Sequence, residues 1–274
     1  IVRGGLEIYP RLVAAEHHTA FLGEFTPSGN AGVDALLGGG LERGTSALLI
    51  GAAGVGKSSL ALGYAIAAAA RGETAAIFAF DEGRATIEAR ARALGMPLQD
   101  EIDSGRILFQ QIDPAEMSPG EFAAIVRQRV EESGARVVII DSLNGYLNAM
   151  PDGRFLILQM HELLSYLGQR GVVTLLVLAQ HGMVGPTETS LDISYLSDAV
   201  LMLRYFEHAG TVRRAVSVVK KRSGPHERAV REFQFGSTGL VVGPQGTDFS
   251  GVLSGKPLYT GMPDSLLAED PRAG

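Results

Sequence analysis

The 274-residue chain contains no cysteine. Disulfides, thiolate metal sites and thiol nucleophiles are therefore excluded, and the composition suits a reducing compartment such as the cytoplasm. Aromatic residues make up only 7% of the chain, few for a protein that stacks the bases of single-stranded nucleic acid. Positive charge is also short: 24 Lys and Arg against 30 Asp and Glu leave a formal net charge of −6. Any case for nucleic acid would rest on a local basic patch. No apolar run is long enough to span a bilayer; the longest, residues 60–70, contains Gly63 and Tyr64 and reads as a buried helix. No signal peptide, internal repeat or low-complexity tract is visible, and the opening Ile1-Val2-Arg3 suits a fragment or processed chain. What is present, 46% hydrophobic and 20% charged residues, suits one large α/β domain or two small ones.

The rest of the chain is organised around Gly51-Ala52-Ala53-Gly54-Val55-Gly56-Lys57-Ser58-Ser59, a match to G-x-x-x-x-G-K-[ST]. A strand-like run, Ser46-Ala47-Leu48-Leu49-Ile50, precedes it, and an alanine-rich helical run over 60–71 follows. Strand, glycine loop and helix together place backbone N–H groups and a helix N-terminus around a phosphate chain. Glycine lets the backbone close on the phosphates, Lys57 supplies a point charge to the β- and γ-phosphates, and the Ser58 hydroxyl ligates Mg²⁺.

Residues 1–30 mix turn formers with short apolar pieces and read as an arm or linker; acidic and sulfur residues do not cluster around the histidine pair His17-His18, which reads as a solvated linker pair. Gly32–Leu37 is a short helix ended by Gly38-Gly39-Gly40. Strands are expected over 74–80, 107–111, 136–142 and 172–179, alternating with helices over 84–94, 119–133 and 154–170. That alternation predicts a mainly parallel sheet covered by helices on both faces. From Ala199 the pattern changes to strand 199–205, turn, strand 212–220, basic loop and strand 229–235, an antiparallel extension of one sheet edge. The expected organisation is an arm over 1–30, an α/β domain over 31–257 and a flexible tail over 258–274.

Three groups carry further chemistry. Asp141 ends an apolar β-branched run and is placed to orient Mg²⁺ or its water shell. Asp81 and Glu82 follow the second strand; they suit activation of the group that attacks the γ-phosphate, or equally the complementing of a helix macrodipole. The basic loop Lys220-Lys221-Arg222-Ser223-Gly224-Pro225-His226 reads as a solvated hairpin tip, a nucleic-acid patch or a set of fingers inserted at a neighbour's nucleotide. The segment over 183–195, with Thr187, Thr189, Ser190, Ser194 and Tyr195, reads as a polar connection, a pore lining, a DNA contact or a phosphate acceptor.

In that order, the glycine triplet, the P-loop, Phe80-Asp81-Glu82-Gly83-Arg84, Ile140-Asp141-Ser142, the basic loop and Arg231-Glu232-Phe233 resemble the RecA-like ATPases of the circadian-clock KaiC family. The resemblance runs from Gly32 to about Gly255, and the K-x-R-x-x-x-H loop is its most specific part. It implies a RecA-like α/β P-loop fold, the second of two tandem ATPase repeats with its preceding linker, and a homo-hexameric ring with Mg-ATP between subunits. It assigns nucleotide contacts to Ala53, Gly54, Val55, Gly56, Lys57, Ser58, Ser59, Leu94, Arg214, Lys220, Lys221, Arg222, Gly224 and His226. Asp81 and Glu82 take the places of a catalytic glutamate pair and, with Ser58 and Asp141, the metal site. Ser194 and Tyr195 take the places of an adjacent phosphorylated serine and threonine, which leaves Ser194, with Thr189, as candidate acceptor. The implied function is slow ATP hydrolysis with serine autokinase activity. Implied partners are a preceding repeat and clock- or signalling-type regulators, with neither membrane nor nucleic acid. A DNA-stimulated ATPase and a nucleotide-gated scaffold are the alternatives.

Overall fold

The computed structural model describes residues 12, 21, 23–148, 153–180, 194–245, 249–251, 258–261, 266 and 267. Strand β1 (Phe25–Thr26) precedes helix α1 (Ala31–Leu36) and pairs antiparallel with β2 (Leu41–Glu42). The chain continues through β3 (Ser46–Ala52), α2 (Lys57–Ala70), β4 (Ala75–Ala79), α3 (Arg84–Ala93), α4 (Leu98–Asp103) and β5 (Ile107–Gln111). Then come α5 (Pro119–Ser133), β6 (Val137–Asp141), α6 (Leu143–Asn148), α7 (Gly153–Gln169) and β7 (Val173–Gln180). A 3₁₀ turn at Ser194–Leu196 leads into β8 (Ala199–His208), β9 (Thr211–Lys221), β10 (Val230–Gly236), β11 (Gly239–Val242), β12 (Phe249–Ser250) and β13 (Leu258–Tyr259).

The main sheet has the order β11-β10-β9-β8-β3-β7-β6-β4-β5. From β8 to β5 the strands are parallel, and β9, β10 and β11 extend the β8 edge antiparallel. This is the expected mainly parallel RecA-like α/β sheet with an antiparallel edge extension. The central strands are buried on both faces, and their alternate residues feed two separate cores. Ala47 and Leu49 of β3, Ile77 of β4 and Ile139 of β6 pack with α1, α2 and α3. Leu48, Phe78 and Ile140 pack with Phe122 and Val126 of α5 and Met160 and Leu163 of α7. Alanines 61, 65, 68 and 69 on α2 are buried, so this helix lies close against the sheet and holds its N-terminus at the C-terminal end of β3.

Helix starts and stops follow local chemistry. Ser118 and Glu121 form a capping box before Pro119, a cap typically worth about 1 kcal/mol, and Gly134 ends α5 at φ 64. Elements that sequence periodicity did not anticipate are short: β1, β2, α4, α6, β11, β12 and β13 have two to six residues each, too few for a period to declare itself. Leu258 pairs with Glu207 of β8, and Leu267 N–H donates to Glu232 Oε2 at 2.6 Å, so described parts of the C-terminal stretch are bonded to the sheet. Among the described residues no helix is long and apolar enough to cross a membrane.

Candidate functional site

The loop after β3 is shaped by backbone that only glycine adopts comfortably. Gly54 has φ 75 and Gly56 φ 111, and a Cβ on Gly56 would come within 2.3 Å of the Phe235 ring. Tyr205 donates its hydroxyl to Ala53 O at 3.4 Å from the neighbouring β8, while Val55 is fully buried and Ser59 nearly so. Helix α2 starts with no side-chain cap and no acid in its first turn, unlike α1, which Asn30 caps. Its first amide donors thus have no capping side chain, an arrangement that suits an anion.

Lys57 is buried beneath this loop and donates to Gly51 O at 2.9 Å and Ala52 O at 2.7 Å. Burial pushes its ammonium pKa down to about 8, against an opposing pull from the Asp141 charge. Asp141, at the end of β6, accepts a hydrogen bond from Ser58. Burial raises the Asp141 carboxyl; the Glu82 charge adds to this, and the Ser58 bond and the Arg90 and Lys57 charges oppose it. Lys57, Ser58, Asp141 and Glu82 therefore share one electrostatic neighbourhood at the C-terminal ends of β3, β4 and β6.

Asp81 and Glu82 are adjacent in sequence but held differently. Ser142, the residue after Asp141, donates its hydroxyl to Asp81 Oδ2. Glu82 is gripped by Arg90 of α3, whose Nη1 lies 2.7 Å from Oε1 and 2.6 Å from Oε2. Asn144 ties the start of α6 to β7 by exchanging hydrogen bonds with the Ala179 backbone at 2.7 and 3.0 Å. Sequence reasoning passed over Arg90, Asn144 and Tyr205; the one available signal was a basic residue two turns into the helix that follows an acidic pair. Leu94, at the end of α3, lines a groove of about 350 Å³ with Ser59, Leu60, Met96 and Leu240. Arg214, a nucleotide contact by family resemblance, pairs across the sheet with Tyr205 and so lies at the P-loop end of β9, away from Lys220.

The basic loop lies at the other end of the sheet. Lys221 stands opposite Ala199, and Ala199 opposite Ala47; Ala52 is five residues further along β3, about 17 Å at ~3.3 Å per residue. Here Lys220 donates to Ser194 O and Ser197 O at 2.7 Å. Lys221 donates to Leu37 O at 2.6 Å and lies over the Phe25 ring. Arg222, 55% exposed, donates to Tyr195 O at 2.8 Å and faces Asp198 at 3.5 Å. The loop packs on the glycine triplet: a Cβ on Gly38 (φ 67) would meet Pro225 O at 2.2 Å, with His226 Cα at 3.7 Å. Gly224 turns at φ 70 beside Glu42. Behind the loop, Arg231 pairs with Glu227, while the next residue, Glu232, pairs with Arg213 toward the P-loop end of β9, so the Arg231-Glu232-Phe233 motif ties β10 to β9 and to the loop. Ser194 sits with the basic loop, and Thr189 lies outside the described residues.

A family model described as "ATPase: KaiC" matches residues 26–247. The chain is 26% identical over 236 residues to "Circadian clock protein KaiC3" of Synechocystis sp., covering 85% of this chain and 46% of that protein. It is 26% identical over 231 residues to "Circadian clock oscillator protein KaiC" of Synechococcus elongatus, covering 84% and 44%. A protein of the same description from Acaryochloris marina is 25% identical, with 84% and 44% covered. The chain spans slightly less than half the length of these relatives.

Proposed function

Because the chain belongs to the KaiC family of ATPases, we propose that it binds Mg-ATP at its P-loop and hydrolyses it slowly between neighbouring copies of itself. The observation that carries this reading is the separation of two half-sites: phosphate-binding groups at one end of β3 and the basic loop at the other. In this reading the α2 amides and Lys57 hold the phosphates, and the groove lined by Leu94 receives the nucleoside. Ser58 and Asp141 supply hard oxygen donors already brought together, a set that fits Mg²⁺ when phosphate oxygens complete its shell. The metal, when bound, neutralises charge on the β- and γ-phosphates.

Asp81 or Glu82 orients the attacking water and takes its proton as the new oxygen–phosphorus bond forms. The bond from the γ-phosphorus to the β–γ bridging oxygen breaks, and ADP leaves with that oxygen. Lys220 and Arg222 of the adjacent copy, with Lys221, Gly224 and His226 shaping their loop, stabilise the charge that develops. A ring of copies, hexameric by family likeness, is the arrangement that gives every P-loop such a neighbour. Regulators of clock or signalling type and a preceding repeat are partners proposed on the same likeness, as is a cytoplasmic setting.

Transfer of the γ-phosphate to Ser194 is a second reading. Ser194 lies beside Lys220, at the end of the sheet that would face a neighbour's nucleotide. Incubation with γ-labelled ATP, followed by intact-mass analysis and phosphopeptide mapping, tests both readings. Free phosphate, lost in Glu82→Gln, supports the ATPase, and label on Ser194 adds the autokinase. Turnover that appears only with single-stranded DNA points to a DNA-stimulated ATPase instead. ATP-dependent assembly without phosphate release points to a scaffold.

A further inference from the structure

The pairing of Arg90 with Glu82 has no place in the sequence motif, yet it reaches into the centre of the proposed site. Helix α3 is anchored on the sheet by Ile87 and Ala91, both buried. Arg90 lies one residue before Ala91 and three after Ile87, at the flank of that buried face. The same helix carries Arg84 on its outer side, 47% exposed and paired with Glu88 and Gln99. Arg90 is less exposed, at 26%, and its Nε is buried without a hydrogen-bond partner. Its guanidinium thus turns inward toward Glu82 and lies within electrostatic reach of Asp141.

A glutamate side chain has three rotatable bonds, and an unheld one would sample several rotamers at the strand end. Asp81 is shorter and already fixed by Ser142. Contact between Nη1 and both carboxylate oxygens limits Glu82 to one orientation and keeps its charge compensated beside the buried Asp141. We propose that Arg90 is a positioning residue: it holds the Glu82 carboxylate toward the acceptor side of the nucleotide site, acting through Glu82 and not on the phosphates. This rests on the ATPase reading above and deepens it.

A double-mutant cycle tests it. Turnover, affinity for a fluorescent ATP analogue and melting temperature are measured for wild type, Arg90→Ala, Arg90→Lys, Glu82→Gln and the Arg90→Ala/Glu82→Gln pair. The expected result is a fall in kcat of about tenfold or more in Arg90→Ala, with nucleotide affinity and melting temperature close to wild type. Part of the loss returns in Arg90→Lys, and the double variant is no slower than Glu82→Gln alone. Unchanged turnover, faster turnover, or a loss in the double variant equal to the product of the single losses would each overturn the proposal. Turnover in Glu82→Gln equal to that of wild type would also overturn the proposal, leaving Asp81 as the activating group, whereas absence of turnover in wild type would count against the parent reading and remove the proposal with it.

Discussion

The two ends of β3 differ in how they handle charge. At the C-terminal end, charged groups are gathered and partly buried: Lys57 is buried with a depressed pKa, Asp141 carries a raised one, and α2 begins without a cap. At the N-terminal end, Lys220, Lys221 and Arg222 spend their donors on backbone carbonyls of the same chain, and Arg222 remains largely exposed. One end resembles a preformed pocket, and the other a tool held ready by its own framework. Strand register keeps them about 17 Å apart, five residues along a rigid strand. Neither end can complete the other within one chain, and this is the physical content of the proposed shared site.

The comparison breaks most visibly at Arg222. Arg222→Ala should lower turnover about 10³-fold while leaving affinity for a fluorescent ATP analogue within a few-fold of wild type; equal losses of binding and turnover would erase the distinction between the ends. Lys57→Ala should do the reverse, lowering nucleotide affinity about 10²-fold in the same titration.

A third effect is confined to Lys57 and to stability. Its folded pKa is about 8 against 10.5 for the free group, so between those values the unfolded chain holds more protons and stability rises with pH. Lys57→Met lacks this dependence. Across pH 8 to 10.5, wild type should gain about 1–3 kcal/mol relative to that variant, read from paired urea-unfolding curves. The smallest effect should come from Gly38→Ala, which pushes on Pro225 O. It should slow turnover about tenfold by shifting the basic loop, with P-loop affinity unchanged.

Much of this was legible in the sequence, for local reasons. The P-loop, the β6 aspartate and the alternating strands declare themselves because each needs particular residue types at fixed spacing. The basic loop was visible as charge, but its position was not, since that depends on the register of β9 against β8 and of β8 against β3. The glycine triplet was readable as a helix stop; its contact with Pro225 was not. Arg90 escaped because its pairing with Glu82 depends on how α3 is rotated against the sheet, which the burial of Ile87 and Ala91 decides. Arg214 and Lys220 were both named as nucleotide contacts on the family resemblance, but that they lie toward opposite ends of β9, six residues of strand apart, depends on the register.

The most direct test is a subunit-mixing experiment. Lys57→Ala and Arg222→Ala proteins are combined at an ATP concentration too low to fill the weakened Lys57→Ala sites, allowed to exchange subunits and assayed for phosphate release. The account predicts recovered turnover, because an Arg222→Ala copy binds the nucleotide and a Lys57→Ala neighbour still supplies Arg222. A mixture shown by native mass spectrometry to contain both variants in one assembly, yet no more active than the two proteins apart, would contradict it.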